Sequence, residues 1–299
     1  MSGDGVTEET QQEQQRQTAA ALSLLQRLPP QDLEATLDGF AKISPHFEHA
    51  LEPYVSRPLQ LKRDDQENKY FIACEYNLDG DTHRSPWSNK YFPPPAGDSS
   101  EEALFHPAER LRRLEETSNE VFDAYKTNYY EGGVSSVYLW ELEDGFAGAF
   151  LIRRELGSDP KMPCKGIWDS VHVVEMREPP PNSNMAHYKL TSSVMLHMQS
   201  VEHDAGAETE LASHITRQAE SKPDIRKKAG EDFHLLQIGH MIEEMEISIR
   251  QSIDGLYLAK QHEILCAVRS LDAAPVSTSD AEPEAEEPSG TTEDTKPSG

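Results

Sequence analysis

Residues 131–152 restrict the fold of this chain more than any other part of the sequence. Two runs of strand-forming residues flank the dipeptide Asp144-Gly145. Asp-Gly favours a tight hairpin turn, because such a turn needs positive φ angles that these two residues tolerate. The two runs are therefore predicted to pair as antiparallel strands. Apolar side chains occur on both faces of the pair, so helices are predicted to cover both sides of this part of the sheet.

The predicted sheet domain covers residues 61–230. Its first predicted strand is residues 70–76, and a helix at about residues 107–131 is inserted before the hairpin because apolar residues recur there every three or four positions. Residues 187–198 are the clearest strand, since apolar and polar side chains alternate and mark one core face. Residues 215–218 are predicted to form a short edge strand.

Residues 12–60 are predicted to form a stalk, an antiparallel bundle of three short helices. Leu22, Leu25 and Leu28 lie on one helical face, and Pro29-Pro30 must end the first helix because proline has no amide donor. Two further segments with apolar residues at helical spacing follow. Residues 1–11 have little apolar content and are predicted to be disordered.

A long helix is predicted from residue 231, where apolar residues step by three or four positions as far as residue 256. About 25 to 30 residues at ~1.5 Å per residue give a length on the order of 40 Å, more than a compact domain of this size easily hides. Together with an unpaired sheet edge, this length indicates a partner chain. The predicted fold class is α+β: an N-terminal antiparallel helical bundle, a central antiparallel β-sheet and a long C-terminal helix packed across the sheet.

The charge balance argues against one class of partner. Acidic residues outnumber basic ones 53 to 28, and the formal net charge of -25 repels nucleic acid phosphates and anionic membranes at long range. A nucleic-acid-binding role is therefore disfavoured. The first residues lack the apolar core of a signal peptide, and no run of about 18 apolar residues occurs, so the protein is predicted to be neither secreted nor membrane-spanning.

No sequence pattern points to catalysis or to a metal. The nucleophile-elbow, phosphate-loop, dinucleotide-binding and zinc-protease motifs are missing, as is any Cys-x-x-Cys pair. Residues 77–81 alternate oxygen donors, but Thr82 and Ser88 stand where an EF-hand requires Gly and Glu, so a tight turn is predicted. The chain is predicted not to be an enzyme, with no catalytic residue, no metal and no cofactor. Packing or surface placement is favoured over a metal site for three strand histidines, His172, His187 and His197.

Four segments of unusual composition identify a family. The hairpin segment, Arg-Ser-Pro-Trp-Ser-Asn-Lys-Tyr at residues 84–91, Trp-Asp-Ser-Val-His-Val-Val-Glu at 168–175 and Ala-His-Tyr-Lys-Leu-Thr-Ser-Ser-Val-Met-Leu at 186–196 closely resemble the β subunits of F-actin-capping protein. The resemblance implies an obligate heterodimer with a related α subunit, joined through a shared sheet and crossed long helices. That heterodimer sits on the fast-growing barbed end of the actin filament and stops subunit exchange without calcium or a cofactor.

The resemblance also implies roles for individual residues. The subunit interface is predicted to use side chains of the clearest strand and of the long helix, namely Tyr188, Leu190, Val194, Leu196, Ile242, Met245, Ile249 and Ile253. Actin binding is predicted for Arg250, which falls where the family places a basic contact, and for a set in the segment that follows it: Lys260, Ile264, Leu265, Val268, Arg269 and Leu271. The alternative is that the apolar members of this set face the core at a helix end. Arg250 and Arg269 would point about 100° apart on one straight helix, so a shared basic patch requires a break, for which Gly255 is a candidate, or help from the α subunit.

The chain departs from the family pattern at its C-terminus. Residues 231–271 contain the long helix and a short amphipathic extension, whereas residues 272–299 are a predicted disordered tail, rich in Glu and without an apolar stripe. Vertebrate members of the family end in a mobile amphipathic helix, the tentacle, that grips a hydrophobic cleft on actin. The hypothesis is that the tentacle of this subunit is shortened or absent and that the α subunit provides most of the apolar grip.

Family analogy further implies a cytoplasmic location in cortical actin structures, and it raises phosphoinositides and capping regulators as additional partners. An alternative function is that of a scaffold or regulatory subunit of another cytosolic assembly, in which the edge strand and the long helix serve dimerisation alone. A third alternative is an enzyme with a site assembled across chains.

Overall fold

The computed structural model describes residues 4–25, 27–43, 51, 57–95, 104–157, 164–200, 210–224 and 231–272. The chain divides into two units, residues 1–250 and 251–299. The described helices are α1 (Asp4–Leu25), α2 (Leu33–Ile43), α3 (Glu109–Tyr130) and α4 (Glu231–Asp272). The described strands are β1 (Gln60–Asp64), β2 (Lys69–Ala73), β3 (Leu78–Asp79), β4 (Thr82–Arg84), β5 (Tyr91–Phe92), β6 (Val134–Leu142), β7 (Gly145–Leu156), β8 (Cys164–Arg177), β9 (His187–Ser200) and β10 (Glu210–Ser221).

The central sheet is an antiparallel meander in the order β10-β9-β8-β7-β6. The predicted antiparallel pairing is confirmed, but the two-residue turn lies one position earlier than Asp144-Gly145, because Leu142 already pairs with Gly145. Of the two predicted turn residues, Gly145 has a positive φ and Asp144 does not. Glycine is required at position 145 by the neighbouring strand, since a Cβ atom there would lie 2.1 Å from the carbonyl oxygen of Met176. The hairpin turn can therefore approach strand β8 this closely because residue 145 has no side chain.

Helices α3 and α4 cover one face of this sheet. The ring of Phe122 on α3 packs on Phe150 of β7, with 4.9 Å between the ring centroids. The first unit's part of α4 packs on the sheet, because its side chains bond to residues of β8, β9 and β10. The predicted α+β class and the predicted position of the long helix across the sheet are confirmed. The bounds of helix α3 agree with the prediction of a helix at about residues 107–131. The residue that follows the helix, Glu131, is left-handed with a φ of 53°, a conformation that glycine adopts more readily.

At the hairpin, the opposite face of the sheet is covered by strand β2, so the prediction of helices on both sides of this part was wrong. A buried cluster joins Leu59 and Ile72 to Tyr138 and Leu151 of the central sheet. Ile72 belongs to β2, which overlaps the predicted strand 70–76 and pairs with β1. Sequence reasoning missed β1, because its five residues contain one apolar side chain and show no alternating pattern.

A second small sheet, which the sequence did not predict, lies between β2 and α3. Strands β3, β4 and β5 pair in that order, and each is two or three residues long. Such short strands leave no periodic signal to detect. The tight turn predicted for residues 77–81 is confirmed, since Asp79 pairs with Thr82 and Gly80 adopts a φ of 58°.

The N-terminal helices pack around a small apolar cluster formed by Ala21, Leu25, Leu33 and Leu51. Helix α1 already begins at Asp4, so the prediction of disorder through residue 11 was wrong for residues 4–11. Glu and Gln are good helix formers, and a helix end of this composition does not need an apolar face. Most of the third predicted helix lies outside the described residues.

Helix α4 is longer than predicted, with 42 residues instead of about 25 to 30. It continues through Gly255, so the break considered at that position is absent from the helix. Within the second unit, Leu258 and Cys266 are exposed and Ile253 is buried. The predicted acidic tail lies outside the described residues from residue 273 onwards.

Candidate functional site

The residues predicted for the subunit interface are buried in this chain alone. All eight side chains, from Tyr188 to Ile253, belong to the buried apolar set. Those of the first unit lie between α4 and the sheet, where the hydroxyl of Tyr188 bonds to His234 at 2.6 Å. A periodic apolar pattern identifies a buried face, but it does not tell which chain covers that face. Their contact with a second chain stays a prediction.

Two other surfaces of the first unit are open to a partner. The outward side of α4 exposes Leu236, at 71%, and Ile247. The second surface is the outer edge of β10, which is 12 residues long instead of the four predicted. Among the strands that the structure describes, none pairs with that edge.

The direction of the β10 amides follows from the register. The amide of Ala186 donates to the carbonyl of Pro223, and the continuous pairing places Tyr188 opposite Ser221. In an antiparallel pair, hydrogen-bonded and non-hydrogen-bonded residue pairs alternate. Odd-numbered residues of β10 therefore bond to β9, whereas even-numbered residues such as Gln218 direct their amide and carbonyl groups outward. This edge presents an alternating row of donors and acceptors.

Arg250, predicted to bind actin, lies in a cage of aromatic rings. Its guanidinium carbon is 4.6 Å from the ring centre of Tyr130 and 5.6 Å from that of Trp168. Its Nε atom lies 3.4 Å from Oε2 of Glu246, one helical turn earlier on α4. The side chain is nevertheless 35% exposed. A cation is thus held at the surface in one orientation by stacking and by an ion pair.

Glu246 links Arg250 to buried polar residues of the sheet. Its Oε1 atom is 2.9 Å from Nε2 of His172, and Nδ1 of that histidine is 2.8 Å from the hydroxyl of Ser192. Burial disfavours a charged carboxylate, but the hydrogen bond and charge of His172 and the hydroxyl of Tyr130 outweigh it and lower the pKa of Glu246 to about 2. Glu246 therefore remains ionised. His187 and His197 lie on the other face of the sheet, because each is an odd number of positions away from Ser192 along β9.

The six other residues predicted to bind actin lie on α4 in the second unit. Helix α4 includes their backbones, but their side chains are not among those that the structure describes. These residues are Lys260, Ile264, Leu265, Val268, Arg269 and Leu271. Their contact with actin stays a prediction.

A buried polar network holds the segment at residues 84–91. Arg84 makes two hydrogen bonds of 2.7 Å to the carboxylate of Glu115 on α3, and both side chains are almost fully buried. Oδ2 of Asp64 accepts hydrogen bonds from the hydroxyls of Ser85 and Ser88, each at 2.5 Å. Sequence reasoning did not pair these residues. The one available signal is the unusual composition of the segment itself.

Two further observations concern the described residues as a whole. They contain no group of three or more His, Cys, Asp or Glu side chains arranged to hold a metal ion. None of their helices combines the length and the apolar character that a membrane span needs.

The chain is similar to known proteins over most of its length. Residues 18–265 match the family model of the F-actin capping protein beta subunit. The F-actin-capping protein subunit beta of Drosophila melanogaster is 41% identical over 254 residues, which cover 85% of this chain and 87% of that protein. The subunit beta of Arabidopsis thaliana is 40% identical over 256 residues, covering 84% of this chain and 94% of that protein. A solved structure of the homodimeric actin capping protein alpha subunit from Plasmodium berghei is 15% identical, with a TM-score of 0.48 and coverage of 90% of this chain and 99% of that one.

Proposed function

Because this chain belongs to the F-actin capping protein beta subunit family, we propose that it binds the barbed end of actin filaments as a heterodimer with an α subunit. In this complex it blocks both addition and loss of actin subunits, independently of calcium. The observation that carries the proposal is the match over residues 18–265, which includes the sheet, α3 and most of α4.

The fold supports a steric mechanism. Occupying the terminal actin subunits denies their surfaces to incoming monomers, so no bond is made or broken and no cofactor is needed. The sheet with α3 and α4 provides a packed platform, and the outer edge of β10 offers backbone groups for pairing with the α subunit. Tight capping would then reflect slow release, achieved by combining apolar and charged contacts over a large surface.

The charge of the chain makes local cations important. With a formal net charge of -25, this subunit repels an acidic partner at long range. Contacts to actin must therefore use apolar side chains and individual basic groups such as Arg250, followed by Lys260 and Arg269 along α4. Phosphoinositides and capping regulators are additional candidate partners for these groups, and the proposed location is cortical actin structures.

Growth of actin filaments from seeds tests the proposed function. The heterodimer, at a concentration far below that of actin monomers, is expected to halt elongation of pyrene-labelled actin at barbed ends and to leave pointed-end growth unchanged. A chain that serves only as a scaffold for another assembly would leave both rates at their control values. That outcome would contradict the proposal, even if the heterodimer formed normally.

Deletion of residues 274–299 tests the contribution of the acidic tail. This segment carries many carboxylates and no apolar stripe, so we expect the rate at which the heterodimer dissociates from barbed ends to stay within about twofold of the full-length rate. A dilution assay on capped filaments measures that rate. A large acceleration would show that the tail grips actin and would refute the hypothesis of a shortened tentacle.

A further inference from the structure

Arg250 is surrounded by groups that fix its position, and they come from three elements. Trp168 lies on β8, Tyr130 ends α3, and Glu246 precedes Arg250 by one turn of α4. The hydroxyl of Ser170 is 2.7 Å from Nε1 of Trp168 and 3.2 Å from the hydroxyl of Tyr130, so the two rings are themselves held in place. The guanidinium therefore has little freedom to change rotamer.

The buried carboxylate is a costly way to stabilise the contact between helix and sheet. Glu246 is 1% exposed, and a buried ion pair is often no more stabilising than apolar side chains of similar volume. Around it, α4 packs on the sheet through Ile242, Met245 and Ile249, which are all buried. Stability alone therefore does not account for a carboxylate here. Its distinctive effect is that it orients a partly exposed cation.

We propose that Glu246, held by His172, is a positioning residue that fixes the Arg250 guanidinium in the Tyr130–Trp168 cage for contact with actin. This inference rests on the proposed capping function. A side chain ordered before binding loses less conformational entropy when it meets its partner. An arginine without the carboxylate would still carry its charge but would sample several orientations, and the contact with actin would be released sooner.

A double-mutant cycle on the assembled heterodimer tests this role. The variants are Glu246→Gln, Arg250→Ala and their combination, and the readout is the rate of dissociation from barbed ends. We expect Arg250→Ala to accelerate dissociation about tenfold, equivalent to about 1.4 kcal/mol. Glu246→Gln, which keeps the shape of the side chain but removes its charge, is expected to accelerate it about threefold. The combination is expected to dissociate no faster than Arg250→Ala alone, because Glu246 acts through Arg250.

The outcomes separate this inference from the proposed function. Independent effects that multiply in the combined variant would assign Glu246 a purely structural role and overturn the inference. Capping with an unchanged rate in Arg250→Ala would overturn it too, while leaving the capping function intact. If Glu246→Gln does not assemble, Trp168→Leu replaces it in the same cycle, since it removes one wall of the cage in which Glu246 holds the guanidinium. Failure of both to assemble would identify the cluster as a folding element and would also overturn the inference.

Discussion

Replacement of Glu115 by Ala is expected to lower the free energy of unfolding by about 3 to 5 kcal/mol, because it leaves the buried guanidinium of Arg84 without its counter-charge. The carboxylate accepts two hydrogen bonds from Arg84, one from Arg112 at 2.5 Å and one from the amide of Leu139 at 2.7 Å. The variant therefore also leaves the amide of Leu139, on strand β6 of the central sheet, without its hydrogen-bond acceptor. At about 2 to 4 °C per kcal/mol, the melting temperature should fall by about 6 to 20 °C.

Glu116→Ala is the matched control for this prediction. Glu116 is the next residue on α3 and also pairs with Arg112, at 2.9 Å, but it is 54% exposed. An exposed ion pair of this kind contributes about 0 to 1 kcal/mol. The melting temperatures of the heterodimers with Glu115→Ala and with Glu116→Ala should therefore differ clearly. Equal small shifts in both variants would show that the buried pair does not stabilise the fold as described.

Replacement of Gln218 by Pro is expected to abolish assembly with the α subunit while leaving the fold of this chain largely intact. The amide of Gln218 points away from β9, so proline removes a donor from the outer edge without removing a bond to β9. Pairing between two sheets depends on those outward groups. Size-exclusion chromatography of the co-expressed subunits measures the loss of the heterodimer.

Two controls make the β10 prediction specific. Gln218→Ala keeps the amide and should assemble normally, whereas Arg217→Pro removes an amide that bonds to β9 and should destabilise the chain itself. Expressed without its partner, the unmodified chain is expected to aggregate through the same unpaired edge. A stable monodisperse monomer, or normal heterodimer formation by Gln218→Pro, would contradict pairing through β10.

Local patterns in the sequence were sufficient to predict the central elements. The hairpin around Gly145 and helix α3 are each specified by residues close together in the chain, through turn chemistry and through helical spacing. By contrast, β1 is held by contacts remote in sequence: Leu59, just before it, donates its amide to Asp169. No local period records such a contact, and for this reason β1 was missed.

The candidate site shows the same limit. The resemblance to a family predicted a role for Arg250, but it did not predict the residues that fix the arginine side chain. Of these, Glu246 is held by His172, which is 74 positions away in the sequence. Arg84 and Glu115 are likewise separated by 31 positions. Charged residues that pair at such distances look like ordinary surface residues in the sequence. The structure is needed to show that they are buried and which partner each one has.

The meander order of the central sheet determines where the chain entropy is lost during folding. Each strand from β7 to β10 pairs with its predecessor in the sequence, so connecting them closes loops that are mostly short. The cost of loop closure rises slowly with loop length. The larger closures bring residues 59–72 and residues 234–246 of α4 onto opposite faces of the sheet. The entropy lost in these two closures is offset by the apolar side chains that each layer buries against the sheet, such as Ile72 on one face and Ile242 on the other.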